Sequence, residues 1–140
     1  MTKVFIDGSQ GTTGLKIFDR LKKRDDIELI TVPDELRKDA AARKQAICDA
    51  DIAFLCLPDA AAIEAANLAS DCDTVIIDTS TAHRTSDGWT YGFPEIFENG
   101  FEKISLSKRI ASPGCYAGGF IALVKPLIDN NIVSPDCNFY

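Results

Sequence analysis

At 140 residues the chain has the size of one domain and can bury a core without staples. Hydrophobic residues make up 46% and charged residues 26%, and no apolar run approaches the ~20 residues of a membrane span. With a net charge of −6 and no basic stripe, neither nucleic acid nor a membrane is the expected partner, whereas a phosphorylated small molecule held by a few local groups stays open.

Met1-Thr2-Lys3 leads directly into a β-type run, without the basic and apolar segments of a signal peptide. The cysteines Cys48, Cys56, Cys72, Cys115 and Cys137 are odd in number and form no CxxC pair. Neither a disulfide framework nor a zinc or other metal site is therefore expected, and a reducing cytoplasm is the default compartment.

Val4-Phe5-Ile6 reads as a first strand, followed by Asp7-Gly8 and the turn Ser9-Gln10-Gly11-Thr12-Thr13-Gly14. A helix is predicted next, with Leu15, Ile17, Phe18 and Leu21 on its apolar face. Gly8, Gly11 and Gly14 form a spacing variant of the dinucleotide fingerprint, in which glycines let the backbone approach a pyrophosphate at a helix N-terminus. Glu28–Val32 reads as the second strand, stopped by Pro33. Past its end Asp34 and Glu35 could accept from a ribose hydroxyl, as for NAD, while Arg37 and Lys38 could pair with the 2′-phosphate of NADP.

Residues 36–50 favour helix, and Ile52–Leu57 is a continuous apolar run of the kind buried on both faces of a parallel sheet, ended by Pro58. Asp59 is expected to cap a helix running to about Ser70, with Ile63, Ala66 and Leu68 among its apolar positions. Thr74–Asp78 is a further strand. This alternation specifies an α/β fold, a doubly wound parallel sheet of Rossmann-like type with right-handed crossovers.

From Thr79 to Glu95 the chain reads as a long irregular segment, polar and aromatic, at the carboxyl end of a strand, where ligand crevices of open sheets lie. Arg84 could hold a phosphate or carboxylate, with Ser80 and Thr81 adding hydroxyl donors. His83, the one histidine, reads as a surface or hydrogen-bonded residue rather than a base. Arg109-Ile110-Ala111 forms a strand that delivers Ser112-Pro113-Gly114-Cys115. Cys115 falls on the first turn of a helix whose buried face is expected to be Phe120, Ile121, Leu123, Val124, Leu127 and Ile128, with a kink at Pro126. Free backbone N–H groups there favour a thiolate and could stabilise an oxyanion formed when the sulfur attacks a carbonyl. Asn130-Asn131 ends that helix, Ser134-Pro135 is a loop, and Cys137–Tyr140 reads as the start of a strand.

Three stretches together resemble the N-acetyl-gamma-glutamyl-phosphate reductases, particularly their shorter branch. They are Phe5–Leu15; Asp78–Arg84 with Tyr91-Gly92-Phe93-Pro94-Glu95; and Ser112–Tyr116, with Cys56-Leu57-Pro58-Asp59 in support. The resemblance implies NADP(H) as cofactor and a small acyl phosphate as substrate. Cys115 is then the nucleophile that displaces phosphate, and the thioester it forms is reduced to the semialdehyde of arginine biosynthesis. Gly8, Ser9, Gln10, Gly11, Thr12, Thr13, Gly14, Arg37, Lys38 and Pro58 fall on the cofactor side, and Ser80, Thr81 and Arg84 on the substrate side. It further implies a dinucleotide-binding domain over residues 1–112 and, over 113–140, the cysteine helix and the start of a second α/β domain that is truncated here. That domain supplies the histidine acid/base of the family, so the chain is expected to be inactive alone, and the full-length enzyme to be a homo-oligomer. Alternatives are an aspartate-semialdehyde dehydrogenase-like enzyme and a non-catalytic dinucleotide-binding or redox module.

Overall fold

A computed structural model describes residues 1–139. Six strands form one parallel sheet: β1 (Thr2–Asp7), β2 (Ile27–Ile30), β3 (Ile52–Leu55), β4 (Val75–Asp78), β5 (Thr90–Tyr91) and β6 (Arg109–Ala111), in the order β2-β1-β3-β4-β6-β5. The helices are α1 (Thr12–Leu21), α2 (Ala40–Cys48), α3 (Asp59–Leu68), α4 (Gly100–Ser105) and α5 (Cys115–Asp129). No helix among the described residues is long and apolar enough to cross a membrane.

The doubly wound sheet is the one the alternation predicts, and its order reverses between β1 and β3. Phe5, Ala53, Leu55 and Ile76 share one face and pack with Ala46 and Ile47 of α2 and Ala65 of α3 into the core. On the other face Ile52 and Phe54 are half-exposed, so β3 is not buried on both sides as its apolar run suggests. In α3 the small residues Ala62 and Ala65 meet the sheet, while Ile63 points outward.

Four local expectations are corrected. Asp59 does not cap α3: the N-cap is Pro58, and Asp59, the first helical residue, accepts hydrogen bonds from the Thr81 backbone N–H and hydroxyl. The stretch from Leu36 begins as a short 3₁₀ turn (Asp34–Leu36), and the helix starts at Ala40, where the Asp39 side chain accepts from Ala42 N–H. In α5 only Val124 is buried; Phe120 and Leu123 are exposed, because few described residues pack against this helix. It runs on past Pro126 to Asp129, and Asn131 follows with φ 55°. No strand forms over residues 137–139, and Tyr140 lies outside the described residues.

Contrary to the spacing argument, Cys48 and Cys72 are joined by a disulfide, their Cα atoms 5.1 Å apart. The partners lie at the end of α2 and in the turn after α3, and a separation of 24 residues gives no local signal. Cys56, Cys115 and Cys137 are free.

A buried ion pair ties α2 to the end of β1. Arg43, 7% exposed, donates through Nε to Asp7 Oδ2 at 3.0 Å and through Nη1 to Glu64 at 3.2 Å. Its Nη2 lies 3.0 Å from the same Asp7 oxygen without hydrogen-bond alignment. Burial raises the Asp7 carboxyl above its ordinary value despite Arg43. Arg43→Met should therefore lower unfolding free energy by about 3 kcal/mol, because it leaves a buried carboxylate without its cation. Urea denaturation measures this, and a loss below about 1 kcal/mol would show the pair to be dispensable.

Candidate active site

The carboxyl ends of four neighbouring strands are in register, with Asp7 opposite Leu55, Leu55 opposite Asp78, and Asp78 opposite Ala111. The residues that leave this row are Gly8, Cys56, Thr79 and Ser112. The glycine turn and the cysteine turn thus leave the same edge of the sheet, about three strand spacings or ~14 Å apart.

Gly8 has φ 84°, a conformation that favours glycine, and a side chain there would overlap the Cys56 carbonyl. Gly11 N–H donates to the Gly8 carbonyl at 3.0 Å. At Gly14 a methyl would run into the Gly8 carbonyl and the backbone of Ser9, so the first turn of α1 sits directly on the loop. No side chain caps α1, which leaves its first backbone N–H groups for an anion. This close-packed, uncapped cradle fits a pyrophosphate.

Beside it lies a cavity of about 520 Å³ between the ends of β1 and β2. Gly8, Ser9, Gln10, Arg37 and Lys38 line it, as do Asp34 and Glu35. Arg37 is held by Asp34, Nε to Oδ1 at 3.3 Å, whereas Lys38 has no ion-pair partner among the described residues. Gly11, Thr12, Thr13, Gly14 and Pro58 lie outside the lining; Thr12 and Thr13 are exposed at the start of α1, and Pro58 at the start of α3. Sequence reasoning missed Asp7, Arg43, Leu15, Phe18 and Leu57, which also form the wall. An acid closing the strand before Gly8 was a usable signal for Asp7; Arg43, in mid-helix, gave none.

On the other side of the row, Cys115 is the first residue of α5 and is exposed. Its N-cap is Gly114, without a side-chain cap, so backbone N–H groups of the first turn are free beside the sulfur-bearing residue. Ser112 N–H donates to the Asp78 carbonyl at 2.7 Å, fixing where the turn leaves the sheet. The thiol of Cys56, at the end of β3, is pushed up by burial, which suits an inert residue.

Ser80, Thr81 and Arg84 follow β4. Ser80 is buried, its hydroxyl donating to Asp78 Oδ2 at 2.7 Å and its N–H to Oδ1 at 2.9 Å. Thr81 is bound to Asp59, and these hydrogen bonds hold the Asp59 carboxyl below its ordinary value. Arg84 Nε donates to the Ser112 carbonyl at 3.1 Å, so of the three it is Arg84 that reaches the cysteine turn. His83 is buried, donates through Nδ1 to Asp78 Oδ2 at 2.7 Å and stacks on Trp89 with ring centroids 3.9 Å apart.

Residues 3–104 match the family model for the NAD-binding domain of semialdehyde dehydrogenase. The chain belongs to this family. Among curated relatives of this NAD-binding domain, the N-acetyl-gamma-glutamyl-phosphate reductase of Chelativorans sp. (strain BNC1) is 51% identical over 134 residues, covering 96% of this chain and 43% of the relative. The N-acetyl-gamma-glutamyl-phosphate reductase 2 of Pseudomonas putida is 50% identical, covering 95% and 42%. The chain therefore spans about two fifths of the length of such relatives. Solved structures of the same fold include aspartate semialdehyde dehydrogenase from Francisella tularensis, with TM-score 0.69, 18% identity and coverage of 94% of this chain and 42% of that one. The NADP complex of the Candida albicans enzyme gives TM-score 0.64 at 15% identity, covering 92% and 47%.

Proposed function

We propose that this chain is the nucleotide-binding and nucleophile-bearing part of an NADPH-dependent N-acetyl-gamma-glutamyl-phosphate reductase of arginine biosynthesis, working in the cytoplasm. The observation that carries the proposal is the placement of an exposed cysteine on an uncapped helix N-terminus at the same sheet edge as the glycine cradle. Relatives of that name at about 50% identity support it. Residues 1–112 form the dinucleotide-binding unit, and residues 113–140 carry the cysteine helix into the part of the enzyme that completes the substrate pocket.

Gly8 to Gly14 hold the pyrophosphate on the amides of α1. Lys38, with Arg37, faces the ribose end of the cavity. A nicotinamide dinucleotide bound there supplies the hydride of the reaction. The Cys115 thiolate attacks the acyl carbonyl; a carbon–sulfur bond forms, the bond to phosphate breaks, and inorganic phosphate leaves. First-turn amides of α5 take up the negative charge that develops on the carbonyl oxygen. Arg84 lies on the substrate side of the turn, with Ser80 and Thr81 shaping the loop that carries it.

In a protein of the relatives' full length, reduction of NADP⁺ by N-acetylglutamate semialdehyde should depend on inorganic phosphate; reduction without phosphate would contradict the reaction. Cofactor choice is tested on the 140-residue chain by fluorescence titration. NADPH should bind about tenfold tighter than NADH, as a 2′-phosphate paired with Lys38 implies, and Lys38→Ala should remove most of that difference. Equal affinities in the unaltered chain would rule out this use of Lys38.

A further inference from the structure

We infer that Arg84 is a positioning residue for the nucleophile, holding the Ser112–Cys115 turn through the Ser112 carbonyl; the inference rests on the proposed role of Cys115. Arg84 Nε donates to the Ser112 carbonyl at 3.1 Å, and Nη2 lies 3.5 Å from the Thr79 carbonyl. The guanidinium therefore bridges the segments that follow β4 and β6. Its Nη1 side covers Gly114 so closely that a β-carbon there would overlap it, and Gly114 is the N-cap on which Cys115 begins α5.

The loop behind Arg84 is itself pinned. Asp78, fully buried, receives Ser80 and His83, and Asp59 receives Thr81 from the start of α3. Asp78 also accepts Ser112 N–H on its carbonyl. Ser112 is thus held at both backbone polar groups, its N–H by the sheet and its carbonyl by Arg84. A planar fork matches this arrangement, and a lysine ammonium does not. The guanidinium charge beside the turn adds to the preference of the α5 N-terminus for an anion.

The test is the rate of iodoacetamide alkylation at Cys115 relative to Cys137 in the same molecules, read by peptide mass spectrometry at pH 7. Cys137 is free and exposed and corrects for reagent, and circular dichroism on each variant confirms that the chain is folded. In the unaltered chain Cys115 should react more than tenfold faster than Cys137. Arg84→Met should lower the ratio about tenfold, the effect of one charge-assisted hydrogen bond. Arg84→Lys should recover less than half of that loss on a logarithmic scale. Gly114→Ala should also lower the ratio by displacing the guanidinium, and should have little further effect when added to Arg84→Met.

An unchanged ratio in Arg84→Met, full recovery with lysine, or additive effects of the two substitutions would each overturn the positioning role while leaving the nucleophile standing. A ratio near one in the unaltered chain would overturn both.

Discussion

In a protein of the relatives' full length, Cys115→Ala should reduce acyl-phosphate reduction by about 10⁴-fold or more, while NADPH affinity stays within about threefold. The asymmetry follows from the row of strand ends. The glycine loop follows β1 and the cysteine follows β6, so the substitution removes the proposed nucleophile without touching that loop. The 140-residue chain, in contrast, should bind nucleotide and be alkylated at Cys115 yet show no turnover. Its one histidine is already committed: His83 is 8% exposed, bonded to Asp78 and stacked on Trp89. Nothing in that arrangement can reach out to protonate a leaving group, and the exposed Cys115 lacks the wall that keeps water from a thioester. Steady-state kinetics on both lengths measures this. Retained activity in the Cys115→Ala enzyme would remove the nucleophile, and turnover by residues 1–140 would show that the remaining three fifths is not needed for chemistry.

Gly14→Ala should weaken NADPH binding by about 100-fold, or about 2.7 kcal/mol, in a chain that still folds. The added methyl meets the Gly8 carbonyl and the Ser9 backbone, none of which can rotate away as a side chain would, so α1 must lift off the loop that it closes. Neighbouring glycines grade the effect. At Gly11 a β-carbon comes no nearer than 3.4 Å to the Gly8 oxygen, and a smaller loss is expected. Gly88 has φ 78° in open space, and alanine there should cost about 1 kcal/mol of stability and nothing in binding. Isothermal titration with NADPH, paired with circular dichroism, separates these outcomes; binding within threefold of the unaltered chain for Gly14→Ala would show that the helix does not need to sit on the loop.

What was legible beforehand was local. Apolar runs ended by glycine or proline gave β1, β2 and β3, because a strand and its breaker sit within a few residues of each other, and β4 was readable from its apolar run alone. The Gly8–Gly14 turn and the Pro113-Gly114-Cys115 turn were readable for the same reason. Interactions that span the fold left no trace. Arg43 reaches Asp7 across 36 residues, Thr81 reaches Asp59 across 22, and Cys48 meets Cys72 across 24. Ser80 and Thr81 carry the same hydroxyls whether they face a substrate or a carboxylate of their own chain. Asp78 draws Ser80 inward, and Asp59 ties Thr81 down at the surface. Strand β5 has no sequence signal because its two residues, Thr90 and Tyr91, are held only at the sheet edge, beyond a β6 that comes later in the sequence. The apolar spacing of α5 was real, but a periodic face says what a helix can bury and not whether a partner covers it.

Cys115 is proposed to carry the acyl group between loss of phosphate and reduction. The most direct measurement mixes a full-length enzyme with N-acetyl-gamma-glutamyl phosphate in the absence of nucleotide, quenches in acid, and locates the adduct by peptide mass spectrometry. One equivalent of phosphate should be released with an acyl group on the Cys115 peptide, and NADPH added before the quench should discharge it as aldehyde. Release of phosphate with no adduct, or an adduct that persists at another residue in Cys115→Ala, would contradict the claim.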